Sequence, residues 1–351
     1  MLVDSPSKQS AEPISAAPAS PRRHALRALG LLVAVGVLLL VCVASIAVGA
    51  KPVPVSEVWD GLFHNTGTGN DVVIRDLRVP RTLLGLLVGA ALGLSGAVMQ
   101  ALTRNPLAEP GLLGINAGAA AAVVTGISFF GVTSLAGYVW FAFFGAAAVS
   151  AAVYVLGGSR SATPVRLALA GTAASAALYG YINAVQLLDS AALERLRFWT
   201  VGSLSSASMD TILKVAPFIG AGLLLALLLA RPLNAMEMGD DTARALGAHL
   251  NRTRVLAMVS VTLLCGAATA ACGPIVFVGL MIPHVVRSFT GPDMRWILPY
   301  CTVLAPVLLL GADVIGRIVT RPSELQVGIV TAVIGGPVFI QLVRRKRMAQ
   351  L

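Results

Sequence analysis

An all-α bundle of ten membrane-crossing helices, with both termini on the cytoplasmic side, is the fold class this sequence predicts. Three observations predict it. Of 351 residues, 56% are hydrophobic and only 12% charged, with mean hydropathy +0.82, against about 25% charged in an ordinary soluble domain. Ten apolar runs are each of roughly the length, about 20 residues, that a bilayer core demands. Finally, seventeen of the 26 Lys and Arg fall on one side of the resulting topology. The Arg344-Arg345-Lys346-Arg347 tail is among them, and positive charge marks the inner side.

Taken in order, the runs place spans near 28–50, 83–102, 111–130, 135–156, 166–188, 211–230, 255–272, 274–290, 296–314 and 325–343. Residues 1–27 read as a disordered cytoplasmic leader, because Ser, Pro and Ala dominate without apolar periodicity. The first run is too long for a signal peptide's apolar region, so it reads as an uncleaved span. Residues 28–345 form one permeation domain, and 346–351 a basic cytoplasmic tail. The boundary at Cys272-Gly273-Pro274 reads as either a kink or a very tight turn. Gly85, Gly89, Gly93 and Ala97 recur every four residues, a stripe that lets a neighbouring backbone approach closely. Pro274, Pro283, Pro299, Pro306 and Pro337 predict kinks.

The net charge of +10 would suggest nucleic acid in a soluble chain; here it follows from the basic inner loops. Several chemistries are absent from the sequence. It has no phosphate-binding G-x-x-x-x-G-K-[ST] loop, no H-E-x-x-H and no G-x-S-x-G. The four cysteines, Cys42, Cys265, Cys272 and Cys301, lie in apolar runs without metal-ligand spacing and read as buried thiols. His284 lacks a nearby second ligand and reads as structural. Span centres are nearly bare of ionisable groups, with Asp313, His284 and Lys214 each near a predicted end. This argues against an ion-coupled carrier and for an energy source supplied by another chain.

Four segments then read together: Arg78–Ala119, which carries R-V-P-R and Q-A-L-T-R-N-P-L-A-E-P-G-L-L-G; Gly273–Arg287, with G-P-I-V-F-V-G-L-M-I-P-H; Gly311–Arg317; and Glu324–Val343. This set resembles the FecCD family, the permease subunits of ABC importers for iron–siderophores, haem and vitamin B12. The resemblance covers about residues 28–345. It implies a vitamin B12 importer permease-like bundle. It also implies two permease subunits around one pathway, identical or paralogous, two cytoplasmic ATPases and an extracytoplasmic substrate-binding protein. The chain itself would bind no cofactor, ATP and Mg being used by the partner ATPase. Ferric siderophore is the expected cargo, with vitamin B12 and haem as alternatives.

The resemblance also assigns roles. Arg78, Arg81 and Arg317 match arginines that meet glutamates of the binding protein. Asn105 and Leu107, with Thr163 in the 161–165 loop, match the inner gate. The charged island Glu237–Arg254 matches the coupling helices. There Asp240, Asp241 and Thr242 suit a helix start, Ala243 to Leu246 favour helix, and Gly247 is a natural stop. The expected form is a short helix, a glycine turn and a second helix lying flat on an ATPase. Ala243 and Leu246 would give the apolar contact, and Asp241 and Arg244 the polar rim.

Overall fold

A computed structural model describes residues 21–51, 53–54, 58, 69–158, 163–245 and 247–348. The described residues are helical or in turns and connectors, with no strand among them. Helix α1 runs Pro21–Ala47, α2 Val79–Thr103, α3 Ile115–Phe130, α4 Leu135–Leu156 and α5 Pro164–Leu188. Then come α6 Ser190–Trp199, α7 Met209–Leu228, α8 Ala230–Glu237 and α9 Asp240–Ala245. The last four are α10 Leu250–Cys272, α11 Val278–Thr290, α12 Met294–Val319 and α13 Val327–Met348. A wide-turn segment, Val73–Arg78, leads into α2.

Each of the ten predicted runs overlaps one of these helices. Six stretches are long and apolar enough to cross a bilayer: 22–47, 70–103, 137–156, 209–228, 250–272 and 294–319. Two shorter apolar helices, Ile115–Phe130 and Val327–Gln341, accompany them. Several boundaries differ from the sequence reading. Helix α1 begins at Pro21, inside the expected leader, whose residues 1–20 lie outside the described residues. Helix α13 runs through to Met348, into the expected tail.

The largest difference is at 274–290. Helix α10 ends at Cys272, and Gly273 takes φ 75°. The chain is then non-helical until Phe277, at φ 69°, opens the 13-residue α11. Thirteen residues rise about 20 Å, short of the roughly 30 Å apolar core. The Pro274 ring and Gly273 turn account for the break, since neither continues a helix.

Helix α2 is the central post. It is buried along most of its length and packs against α12, α10 and α11. The glycine stripe explains how α12 comes so close. A Cβ on Gly85 would lie 2.3 Å from Leu310, on Gly89 2.5 Å from the Pro306 backbone, and on Gly93 2.5 Å from Ala305. On another face, a Cβ at Gly96 would sit 1.8 Å from the Gly279 carbonyl oxygen in α11. The atoms it would meet are all Gly279 backbone, so nothing flexible can yield. The Gly96→Ala variant should therefore lose about 1–3 kcal/mol through overpacking, read as a lowered unfolding midpoint of the purified protein. An unchanged midpoint would show that α11 shifts freely.

Helix α5 is built differently from its neighbours. It is 25 residues long but falls outside the set apolar enough to cross a bilayer; Thr172, Tyr179, Tyr181 and Asn183 lower its hydropathy, and all four are exposed. Polar side chains facing hydrocarbon are costly.

Candidate functional site

At one end of the bundle, a buried ionic cluster ties α1, α2, α12 and the loop before α13 together. The Arg81 guanidinium donates to both Asp313 carboxylate oxygens, at 2.8–3.2 Å, and to Glu324 Oε2 at 2.6 Å. The i, i+4 spacing on α12 brings Arg317 back onto Asp313 at 2.9 Å. Arg317 also donates to the Ser45 and Val48 carbonyls and the Ser45 hydroxyl at the end of α1. Arg78 donates to the carbonyls of Ile46, Ala47 and Lys51 at 2.5–2.9 Å. These carbonyls are the last of α1 and the strap beyond it, which otherwise lack intrahelical partners.

Thus the structure brings Arg78, Arg81 and Arg317 together, but not as free surface hands. They are 4%, 8% and 2% exposed, and Asp313 is fully buried. The charges sit below the surface because paired guanidiniums can be desolvated together with their carboxylates and carbonyls. They line a cavity of about 300 Å³ with Lys51, Ser205 and Glu324.

At the other end lies the charged island. Helix α9, Asp240–Ala245, forms as expected, and Gly247 adopts φ 78° in open space. The second flat helix does not appear as a separate element: beyond His249 the chain enters α10 directly. Leu246 lies outside the described residues. Asp241 and Arg244 are exposed and paired at 3.2 Å, i to i+3. Ala243 is fully buried, so its methyl faces the bundle rather than a partner.

Asp240 also points inward. One carboxylate oxygen accepts from Arg254 at 2.6 Å, and the other accepts from Arg104. Arg104 also donates to the Met236 carbonyl at 2.8 Å. The residue stands at φ 49°, closing α2 immediately before Asn105. A single carboxylate therefore joins α9 to the foot of α10 and to the turn after α2. Burial pushes the Asp240 carboxyl up, but the two guanidiniums outweigh it and hold it below the ordinary carboxylate value. A depressed carboxylate contributes stability above its unfolded value, about 3.9, and loses it only as pH falls through the lower folded value. The junction stays charged at neutral pH. Close by, Glu237 reaches Arg287 of α11 at 2.8 Å.

The Asn105 side chain accepts from the Leu107 N–H at 3.0 Å, a local turn of the kind Asn favours. Beyond it, Pro106 and Leu107 meet Phe277, Met281 and His284 of α11, and Phe339 of α13, around a void of only about 10 Å³. Thr163 is not among those residues. It caps α5, accepting from the Arg166 N–H at 3.3 Å, and is exposed. Residues 161–162 of that loop lie outside the described residues. Among the described residues, no three His, Cys, Asp or Glu stand close enough to hold a metal. The sequence reading missed Arg104: a lone arginine at a helix end signals only sidedness, and Asp240 is 136 positions away.

Comparison with known proteins decides what these two ends belong to. The FecCD transport family model matches residues 37–345. The chain belongs to the FecCD family. As a member it is 47% identical over 317 residues to the ferric enterobactin transport system permease protein FepD of Escherichia coli (strain K12), covering 89% of this chain and 94% of that one. It is 37% identical to the Fe(3+)-citrate import system permease protein YfmD of Bacillus subtilis (strain 168), over 93% of this chain and 97% of that one. Among solved structures, an inward-facing metal-chelate type ABC transporter aligns at TM-score 0.79 and 27% identity, covering 92% of this FecCD chain and 99% of its counterpart. The FecCD chain is an integral membrane permease, a transport component of an ABC importer.

Proposed function

We propose that this chain is a permease subunit of an ABC importer that carries ferric siderophore inward across the cytoplasmic membrane, while a separate subunit hydrolyses ATP. The observation that carries the reading is the Asp240 junction. It bonds α9, which the family resemblance matches to the coupling segment, to the turn that carries Asn105 and Leu107, within a chain 47% identical to a ferric enterobactin permease. The ten predicted segments then cross the bilayer with both termini inside, the eighth using the unwound residues before α11 as well as the helix itself. Asp241 and Arg244 face the ATPase. Asn105 and Leu107, with Thr163 of the neighbouring loop, form the inner gate. ATP and Mg stay on the partner, and this chain binds no cofactor.

A second permease subunit covers the polar face of α5. The Arg78, Arg81 and Arg317 guanidiniums outnumber the Asp313 and Glu324 carboxylates, so the cluster keeps net positive charge. That field steers acidic groups of the extracytoplasmic binding protein, even though the arginines are engaged within the chain.

The test is uptake of radio-iron siderophore into proteoliposomes holding permease, ATPase and binding protein. ATP-dependent accumulation is the expected result. ATP hydrolysis without accumulation of any ferric siderophore would remove the cargo assignment. Accumulation driven by an ion gradient, with no ATPase present, would restore the carrier reading.

A further inference from the structure

Beside the arginine cluster, and sharing Ser205 with its cavity, lies a second cavity of about 340 Å³. Tyr138, Phe198 and Trp199 supply aromatic surface, Arg195 a cation, and Ser205 and Gln326 neutral polar groups. Its backbone is fixed. The Ser203 N–H donates to the Cys272 carbonyl at 2.8 Å, and the Gly328 N–H to the Gly202 carbonyl at 3.1 Å. A Cβ at Gly273 would lie 2.1 Å from the Trp199 carbonyl oxygen, and one at Gly328 1.8 Å from the Val201 carbonyl oxygen. Three chain segments thus meet backbone to backbone directly beneath the cavity. They hold α6, the end of α10 and the start of α13 in one register.

The rim is cationic and aromatic at once. Arg195 and Phe198 are both exposed, and the Arg197 guanidinium stands 5.0 Å from the Phe198 ring centre. Cys272, which lines the cavity, is the last residue of α10, 18 positions beyond Arg254, where the Asp240 junction meets that helix. That is about 27 Å along the helix, so the cavity opens at the end opposite the coupling segment.

We propose that this cavity is a receiving site for one aromatic arm of an anionic ferric chelate, the tris-catecholate class, as it leaves the binding protein. The inference rests on the ferric-siderophore reading above and adds a site on the permease itself. A tris-catecholate of iron(III) carries net negative charge and three flat rings. The ring stacks on Phe198 and Trp199, and Arg195 meets the phenolate oxygens with charge-assisted hydrogen bonds. The cavity is of single-arm size, so the grip is partial, as a pathway that must release its cargo requires. Iron(III) held by three neutral-sum hydroxamates lacks both the charge and the rings, and gains nothing here.

The experiment uses the permease–ATPase complex in nanodiscs, without binding protein, and the iron(III) tris-catecholate complex labelled with radio-iron. Saturable retention by wild type is expected. Arg195→Glu and, separately, Phe198→Leu should each weaken it about tenfold, the size of one lost charged or stacking contact. Retention of an iron(III) trihydroxamate should be equally low in all three. In proteoliposomes with binding protein, each variant should slow catecholate uptake at sub-saturating substrate and leave trihydroxamate uptake unchanged. Equal catecholate retention in wild type and both variants, or none in a wild type that transports catecholate, overturns the site. A wild type that hydrolyses ATP but imports neither chelate overturns the siderophore reading instead.

Discussion

Replacing Asp313 with alanine should cost about 3–5 kcal/mol, the penalty for leaving a buried charge without its partner. Two arginines lose their shared carboxylate in that variant. Arg81 keeps Glu324, whose side chain is 34% exposed, whereas Arg317 at 2% exposure keeps only neutral acceptors at the end of α1. The measurement is the unfolding midpoint and yield of detergent-purified protein, which should both fall. The triple variant Asp313→Leu, Arg81→Met, Arg317→Met is the informative companion. It removes Asp313 together with both arginines that bond it and should recover most of the loss, because apolar replacement of a complete buried ion group is often neutral. An Asp313→Ala protein as stable as wild type would show that water reaches these groups. If the triple variant is stable but its uptake no longer responds to the binding protein, the cluster's field serves docking.

Reversing the charge of Asp240, as Asp240→Arg, should sever ATP hydrolysis from transport. The variant places a third guanidinium against Arg104 and Arg254, so α9 separates from the turn at Asn105. ATPase activity of the complex should persist while uptake falls about tenfold or more, the effect of losing roughly 1.5–3 kcal/mol of charge-assisted contact. Pairing it with Arg104→Asp rebuilds the bond in reverse and should return part of the uptake. A double variant no better than the sum of its singles would mean that the two residues act independently. Uptake unaffected by Asp240→Arg would discard the junction as a transmission element.

How much of this was legible beforehand follows from the range of each interaction. Helix α2 and its glycine stripe were readable, because a four-residue spacing is a local pattern and the neighbour's identity need not be known. Helix α9 and its glycine stop were readable for the same reason. Helix α11 is shorter than the run 274–290 suggests, since Gly273 and Pro274 announce a break but not how many residues stay unwound after it. Helix α6 was missed because Glu194, Arg195 and Arg197 interrupt its apolar residues. The burial of Arg78, Arg81 and Arg317 was not legible at all. Their partners lie 232 residues away in the case of Asp313 and 272 in the case of Ser45, and no local spacing encodes that. The same is true of Ala243 facing inward, which follows from the docking of α9 on α10.

The seam between α2 and α12 has a consequence for how the molecule can move. Gly85, Gly89 and Gly93 each face a different part of α12, with no more than a hydrogen atom's clearance. Such a seam has one register: slipping by a residue would drive the methyl of Ala97 or the branch of Leu310 into backbone. Close-packed contacts of this kind switch between discrete arrangements or do not move at all. The two helices therefore travel as a single plate. Whatever rocking opens the pathway must occur between this plate and its neighbours, not within it.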